Sequence, residues 1–465
     1  MDIIAFGVII NLLHMVHPKT KKMKELFENV FFKMFVILIL VLLLAIPAIM
    51  VQDLITERMD RQEEAVTEVS SKHAMEQQLL GPVLTIPYKR IKSVVNQSTG
   101  RQETVSERFY FHVLPDELLI DGTVSPEKRK RGLYEVIVYK SELAVNANFD
   151  AIPFDKISAS YENIEFDKAF LSIGISDLKG LSEQVRIHVN DSTHLCNPGV
   201  PTHDLVSSGL HVNVPVSYDQ KKMKVKFKLD LKGSQQLMFV PVGKETKVNI
   251  SSTWKDPSFN GEFLPHARSV SGDGFNASWK VLHLNRNYPQ YWTGSQGQLH
   301  QSAFGVDLKL PVDVYQRSMR VAKYAMLFIV LTYLVFFFVE VLNRVLIHPI
   351  QYILVGLALV LFYVLLLAFS EHIYFDWAYV VSAVMTITLI YFYAKAILHS
   401  KALGAMTVAI LTILYTFIFV IIQMQDWALL VGSIGIFAIL AVTMYFSRKI
   451  DWFDLKKSDG PQQMP

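Results

Sequence analysis

The chain has 465 residues, of which 51% are hydrophobic, 12% aromatic and 19% charged, with a mean hydropathy of +0.29; this lies outside the usual soluble range and inside the membrane class. A formal net charge of +3 without a dense basic tract excludes nucleic acid as an expected partner. The single cysteine, Cys196, excludes an intramolecular disulfide.

Residues 1–30 read as a cytoplasmic N-terminal segment. Its first part, MDIIAFGVIINLLHMVH, is apolar but too short to span a bilayer. Either residues 1–22 lie in the membrane interface, or translation starts at Met23. Residues 31–51, FFKMFVILILVLLLAIPAIMV, form the first predicted span. Its apolar core is longer than that of a cleaved signal, and bulky residues follow Ala45-Ile46-Pro47-Ala48, which favours a retained anchor. Residues 52–80, rich in Glu, Gln, Arg and Ala, read as a helical stalk ended by Gly81-Pro82.

From 81 to about 320 the hydrophobic period becomes two. Segments 108–114, 133–149, 184–190, 210–216, 246–254 and 304–312 read as strands between Gly, Pro, Asn and Asp. The clearest is KMKVKFKLDLK (222–232), with Met223, Val225, Phe227, Leu229 and Leu231 on one face and five lysines and Asp230 on the other. About ten strands are expected, in a sandwich, two packed sheets or two smaller β units. The lysine face can attract anionic polymers or lipid headgroups, but a solvated face that discourages edge pairing is the simpler reading.

Five further spans are predicted at 324–345, 350–370, 377–397, 403–424 and 427–447, within a bundle covering 321–447, before a tail at 448–465. The fold class is therefore a six-helix membrane protein with a β-rich domain inserted between helices 1 and 2. Lys19, Lys21, Lys22, Lys24 and Lys33 precede the first span, Arg344, Lys395 and Lys401 stand in alternate connections, and Arg448, Lys449, Lys456 and Lys457 follow the last. The connections 371–377 and 423–427 carry neither Lys nor Arg. The positive-inside rule then places both termini in the cytoplasm and residues 52–320 outside it.

Candidate chemistry is sparse. His188, His194, Cys196, His203, Asp204 and His211 are metal-capable types, but their spacing matches no zinc pattern, and surface-loop residues are the simpler reading. YWTGSQG (291–297) is not a nucleophile elbow, and P-loop, dinucleotide and HExxH signatures are absent. Nothing in the spacing pairs carboxylates such as Asp116, Asp121 and Glu262. Within the spans Glu340 is the one acidic candidate, with Arg344 at i+4 in the favoured order for a helical ion pair. Gly356, Gly404, Gly432, Ser433 and Gly435 supply small surfaces for helix packing. His348-Pro349 and Ser370-Glu371-His372 bracket the third span. They lie some 30 Å apart at 1.5 Å per residue, so they read as helix ends; of the two, Glu371 and His372 are the better functional candidates because they fall on the side assigned to the β domain. No catalytic residue, cofactor or metal is expected.

Several long strings carry a resemblance: LLGPVLTIP (79–87), FHVLPDELLIDGTVSPEKRKRGLYEVIVY (111–139), TWKDPSFNGEFLP (253–265), AKYAMLFIVLTYLVFFFVE (322–340), the stretch 348–372, and RKIDWFDL (448–455). In this order, over about residues 30–455, the chain resembles the CreD family of bacterial inner-membrane proteins, also described as cell-envelope integrity or colicin-tolerance proteins. Residues 1–22 and the His/Cys-rich stretch 188–203 have no counterpart in the family pattern. The resemblance implies envelope stress response, altered sensitivity to colicins and β-lactams, and control by a two-component system, with no catalytic residue to carry over. The expected function is a non-enzymatic envelope protein in the lipid bilayer, its periplasmic β domain binding or organising envelope components or partner proteins. The alternative is a carrier or flippase for lipid or amphipathic molecules.

Overall fold

The computed structural model describes residues 30–95, 102–150, 152–160, 163–219, 222–308, 314–343, 345–424 and 427–448. The chain divides into two compact units, Met1–Arg61 with Asp313–Pro465, and Gln62–Val312.

The first unit holds the membrane helices. Helix α1, Val30–His73, is unbroken for 44 residues, and its part up to Arg61 belongs to this unit. The others are α2 (Val314–Lys323), α3 (Ala325–Asn343), α4 (Pro349–Ser370), α5 (Phe375–Ile397), α6 (Lys401–Gln423) and α7 (Ala428–Ser447). Six of these, all but α2, are long and apolar enough to cross a bilayer. Helix α2 is a short amphipathic helix directly ahead of α3, in a stretch that the sequence reading assigned mostly to the β-rich domain ending at 320. His348 caps α4 with Pro349 at its first position, where the missing N–H is not needed. An aromatic cluster of Phe328, Phe362, Tyr363, Tyr379 and Tyr415 fills the space between α3, α4, α5 and α6. Of the five small residues expected at helix contacts, Gly356, Gly404 and Gly435 have close neighbours, whereas Gly432 faces open space and Ser433 is exposed.

The second unit is a sandwich of two sheets around one core. Seventeen strands are described, against about ten expected. One sheet has nine strands: β1 (Gln77–Val95), β2 (Gln102–Val113), β5 (Phe170–Ile175), β8 (Asn197–Pro198), β9 (Gly209–Asn213), β11 (Gln236–Phe239), β13 (Ser258–Gly261), β16 (Tyr291–Thr293) and β17 (Phe304–Asp307). The other has eight, in the order β14 (Ala267–Ser271), β15 (Gly274–Leu282), β12 (Glu245–Ser252), β3 (Glu117–Arg131), β4 (Tyr134–Phe149), β10 (Met223–Ser234), β6 (Arg186–Val189) and β7 (Ser192–Leu195).

Two expectations are corrected here. Gly81-Pro82 does not end the stalk helix; α1 stops at His73, and the pair lies within β1 at a register shift between Leu80 and Val83, where Gly81 has φ +110°. Only glycine takes that backbone without strain, so the pair marks a bulge rather than a helix stop. The lysine strand β10 is also no edge: β4 pairs one side of it and β6 the other. Its lysines therefore do not protect an open edge.

Candidate functional site

In the eight-stranded sheet the alternation is regular. Leu118, Ile120 and Val124 of β3, Leu143 and Val145 of β4, Val225, Phe227 and Leu229 of β10, Val248 and Ile250 of β12, and Phe275 and Trp279 of β15 point into the core. The intervening residues form the opposite, solvent-facing side. Strand register lines them up in transverse rows. One row runs Ser278, Asn249, Asp121, Ala144, Lys228, and the next Asn276, Ser251, Thr123, Glu142, Asp230. Most of these side chains are short, while the neighbouring row holds Lys280, Lys247, Leu119, Asn146 and Lys226, three of them long lysines. The result is an open trough of about 490 Å³ across β15, β12, β3, β4 and β10. A second hollow of about 790 Å³ shares Ala144, Lys228 and Asp230 with it and continues over β6 to Arg186 and His188.

Acidic and basic side chains are mixed along this trough. Asp121 and Glu142 stand on β3 and β4, and Asp230 lies directly opposite Glu142 on β10, the strand that also carries Lys226 and Lys228. Like charges so placed are destabilising by a few tenths to about 1 kcal/mol. Lys226, Lys228 and Arg186 line the β10–β6 end together with Asp230 and Glu183. Asn249 Nδ2 donates to Asp121 Oδ1 at 2.8 Å and Ser251 Oγ to the Gly122 carbonyl at 3.4 Å. Among the described residues the side chains of Thr123, Glu142, Asp230, Asn276, Ser278, Lys226, Lys228 and Arg186 have no hydrogen-bond or ion-pair partner in the protein. A smaller polar hollow of about 450 Å³ near Gln77 differs in this respect. There Gln77 donates to the Asp177 and Lys232 carbonyls, Gln78 Oε1 lies 3.0 Å from His300 Nδ1, and Gln236 donates to Asp307.

One arrangement resembles a nucleophile triad. Thr85 of β1 and His112 of β2 are register partners, with Thr85 Oγ1 2.9 Å from His112 Nδ1, and Asp204 Oδ2 3.4 Å from His112 Nε2. Burial holds the His112 imidazole below its ordinary pKa despite the opposing pull of Asp204. A neutral ring protonated at Nε2 satisfies both contacts, with the Thr85 hydroxyl donating. Both Thr85 and His112 are 0% exposed, so no substrate reaches them; they brace the sheet. Of the metal-capable stretch, His188 meets Thr193 Oγ1 and His211 meets the Gly199 carbonyl. Among the described residues no three His, Cys, Asp or Glu side chains are grouped to hold a metal ion.

The residues singled out in the membrane unit fall into two separate sets. Glu340, 2% exposed, pairs with Lys33 Nζ at 2.8 Å, accepts from the Tyr352 hydroxyl at 2.8 Å and from the Ile347 amide at 3.2 Å. Arg344, the partner expected from spacing, lies outside the described residues. Glu371 caps the far end of α4, accepting from the Tyr315 hydroxyl at 3.3 Å and facing Arg58 Nε at 3.7 Å. His372 is exposed. Close by in sequence, Asp376 faces Arg317 at 3.5 Å and accepts from Gln423 at 2.9 Å. Because Tyr352 opens α4 and Glu371 follows it, the two sets lie about 30 Å apart and form no common site.

Six spanning helices and a large β sandwich placed between the first and second of them in the chain define a polytopic membrane protein. Residues 29–453 match the family described as Inner membrane protein CreD, and the chain belongs to that family. It is 32% identical over 427 residues to Inner membrane protein CreD of Escherichia coli (strain K12), covering 91% of this chain and 94% of that protein.

Proposed function

We propose that the chain is a non-enzymatic inner-membrane protein that supports cell-envelope integrity under stress, with both termini cytoplasmic and its β unit in the periplasm, where it binds or organises envelope components. The observation that carries this reading is the trough on the eight-stranded sheet, a broad surface on which Thr123, Glu142, Asp230, Asn276, Ser278 and Lys228 have no partner in the protein. The paired charges Lys33–Glu340 and Arg58–Glu371 suit a structural bundle better than an ion path, because buried charges that conduct must exchange partners.

Gene deletion tests the reading. Cells lacking the chain are expected to be sensitised to detergent, colicins and β-lactams, and wild type to restore resistance while Thr123→Trp, which fills the trough, does not. Unchanged sensitivity under envelope stress would count against it. Accumulation of a lipid-linked intermediate in the deleted cells would replace it with the carrier reading. For topology, an impermeant thiol reagent is expected to label Asp273→Cys in a Cys196→Ser background from the periplasmic side only.

A further inference from the structure

We infer that the trough binds a cell-wall glycan substituted with short peptides, a polymer that carries hydroxyls, amides, carboxylates and ammonium groups together. This rests on the proposed periplasmic placement of the β unit and names the component it engages. Three observations select the ligand class. The first is the lining. Thr123, Asn249, Ser251, Asn276 and Ser278 are short groups that donate and accept from one side chain, and between them they expose no aromatic or large aliphatic side chain. Such a surface matches hydroxyls and amides and offers little to an acyl chain or an apolar helix.

The second observation is the mixture of charges. Glu142 and Asp230 oppose each other, and Asp230 shares the β10–β6 end with Glu183, Lys226, Lys228 and Arg186, the last three without partners. A uniformly anionic polymer or headgroup meets Glu142 and Asp230, and a uniformly cationic one meets Lys226, Lys228 and Arg186. A ligand with ammonium and carboxylate groups a few ångströms apart relieves both. The third is extent. Six adjacent strands, β15, β12, β3, β4, β10 and β6, at about 4.8 Å spacing give a run of about 24 Å, long enough for several sugar residues.

The test is co-sedimentation of the full-length chain, in detergent, with purified peptidoglycan sacculi, beside titration with a soluble disaccharide-tetrapeptide. Wild type is expected to sediment with sacculi and to be competed off by the soluble fragment. Thr123→Trp and the double variant Lys226→Glu/Lys228→Glu are expected to weaken binding tenfold or more with melting temperature unchanged. Lys168→Ala, ahead of β5 of the other sheet, is expected to bind as wild type. Equal retention of both trough variants overturns the inference, as does equal sedimentation with uncharged cross-linked dextran or preferential binding to anionic-lipid nanodiscs. If trough variants lose envelope resistance in cells while wild type ignores sacculi, the glycan assignment falls and the broader function stands. If sacculi are bound through the trough but its variants protect cells fully, the broader function falls and the binding site stands.

Discussion

Lys33 and Glu340 meet at 2.8 Å although 307 positions separate them in the chain, and the contact ties the start of α1 to the end of α3. Glu340 is 2% exposed and the Lys33 side chain 13%, so removing one partner leaves a buried charge without its counter-ion; for Glu340 the hydrogen bonds from Tyr352 and Ile347 offset only part of the desolvation. Lys33→Ala and Glu340→Ala are each expected to destabilise the purified protein by about 3 kcal/mol. The double variant Lys33→Met/Glu340→Met, which buries no charge, is expected to recover most of that loss. Thermal unfolding in detergent measures all three, and a double variant less stable than both singles contradicts the account.

Gly356 lets three helices meet. A Cβ there would collide with Leu44 of α1 and with the Tyr333 hydroxyl of α3, which donates to the Tyr352 carbonyl at 2.6 Å. Overpacking of this kind costs about 1–3 kcal/mol. Gly356→Ala is expected to lower the melting temperature, whereas Gly432→Ala, with nothing within 4 Å of the added methyl, is expected to leave it unchanged.

The spans were legible because a run of some 20 apolar residues has few other structural solutions, and β10 was legible because one wet and one dry face force a period of two. Strand β1 was missed for the opposite reason. Leu84, Thr85, Ile86 and Tyr88 are all buried, so both faces are covered and alternation disappears. Helix α2 was missed because its ten residues are too few to span a bilayer and follow directly on a strand pattern, so most of it was assigned to the β domain. The trough was not legible at all. Asn249 and Asp121 become neighbours through a parallel pairing of strands 128 positions apart, and local pattern carries no information about that register. Glu340 stood out in the sequence as the acidic residue within a span, with Arg344 at i+4 as its expected partner, and sequence distance hid Lys33.

The His112 contact predicts a pH dependence. Burial depresses its pKa in the folded state, while in the unfolded chain an imidazole titrates near 6.5. Below that pH the unfolded state binds a proton that the folded state does not, so stability is present above about 6.5 and is lost as pH falls through it. His73 is likewise held low, first by burial, and contributes with the same sign. The melting temperature of the full-length protein is expected to fall between pH 7.5 and 5.5, with a smaller fall in His112→Asn and a smaller one still when His73→Gln is added. Identical slopes in wild type and His112→Asn would falsify the assignment.

Cys196 provides a sharp chemical check on the packing of the β unit. It sits against the core, and burial pushes its thiol up to about 12. The thiolate is the nucleophile, so raising the pKa from the usual 8.5 to that level leaves about a thousandth of the ordinary thiolate population at pH 8. Native protein is therefore expected to react with a maleimide about a thousandfold more slowly than protein unfolded in guanidinium. Because the chain has one cysteine, the reaction reads this position alone. A native rate within tenfold of the unfolded rate means that the segment joining β7 to β8 opens readily, and that the hydrogen bond from the Cys196 amide to the Val185 carbonyl, 3.0 Å long, does not hold it.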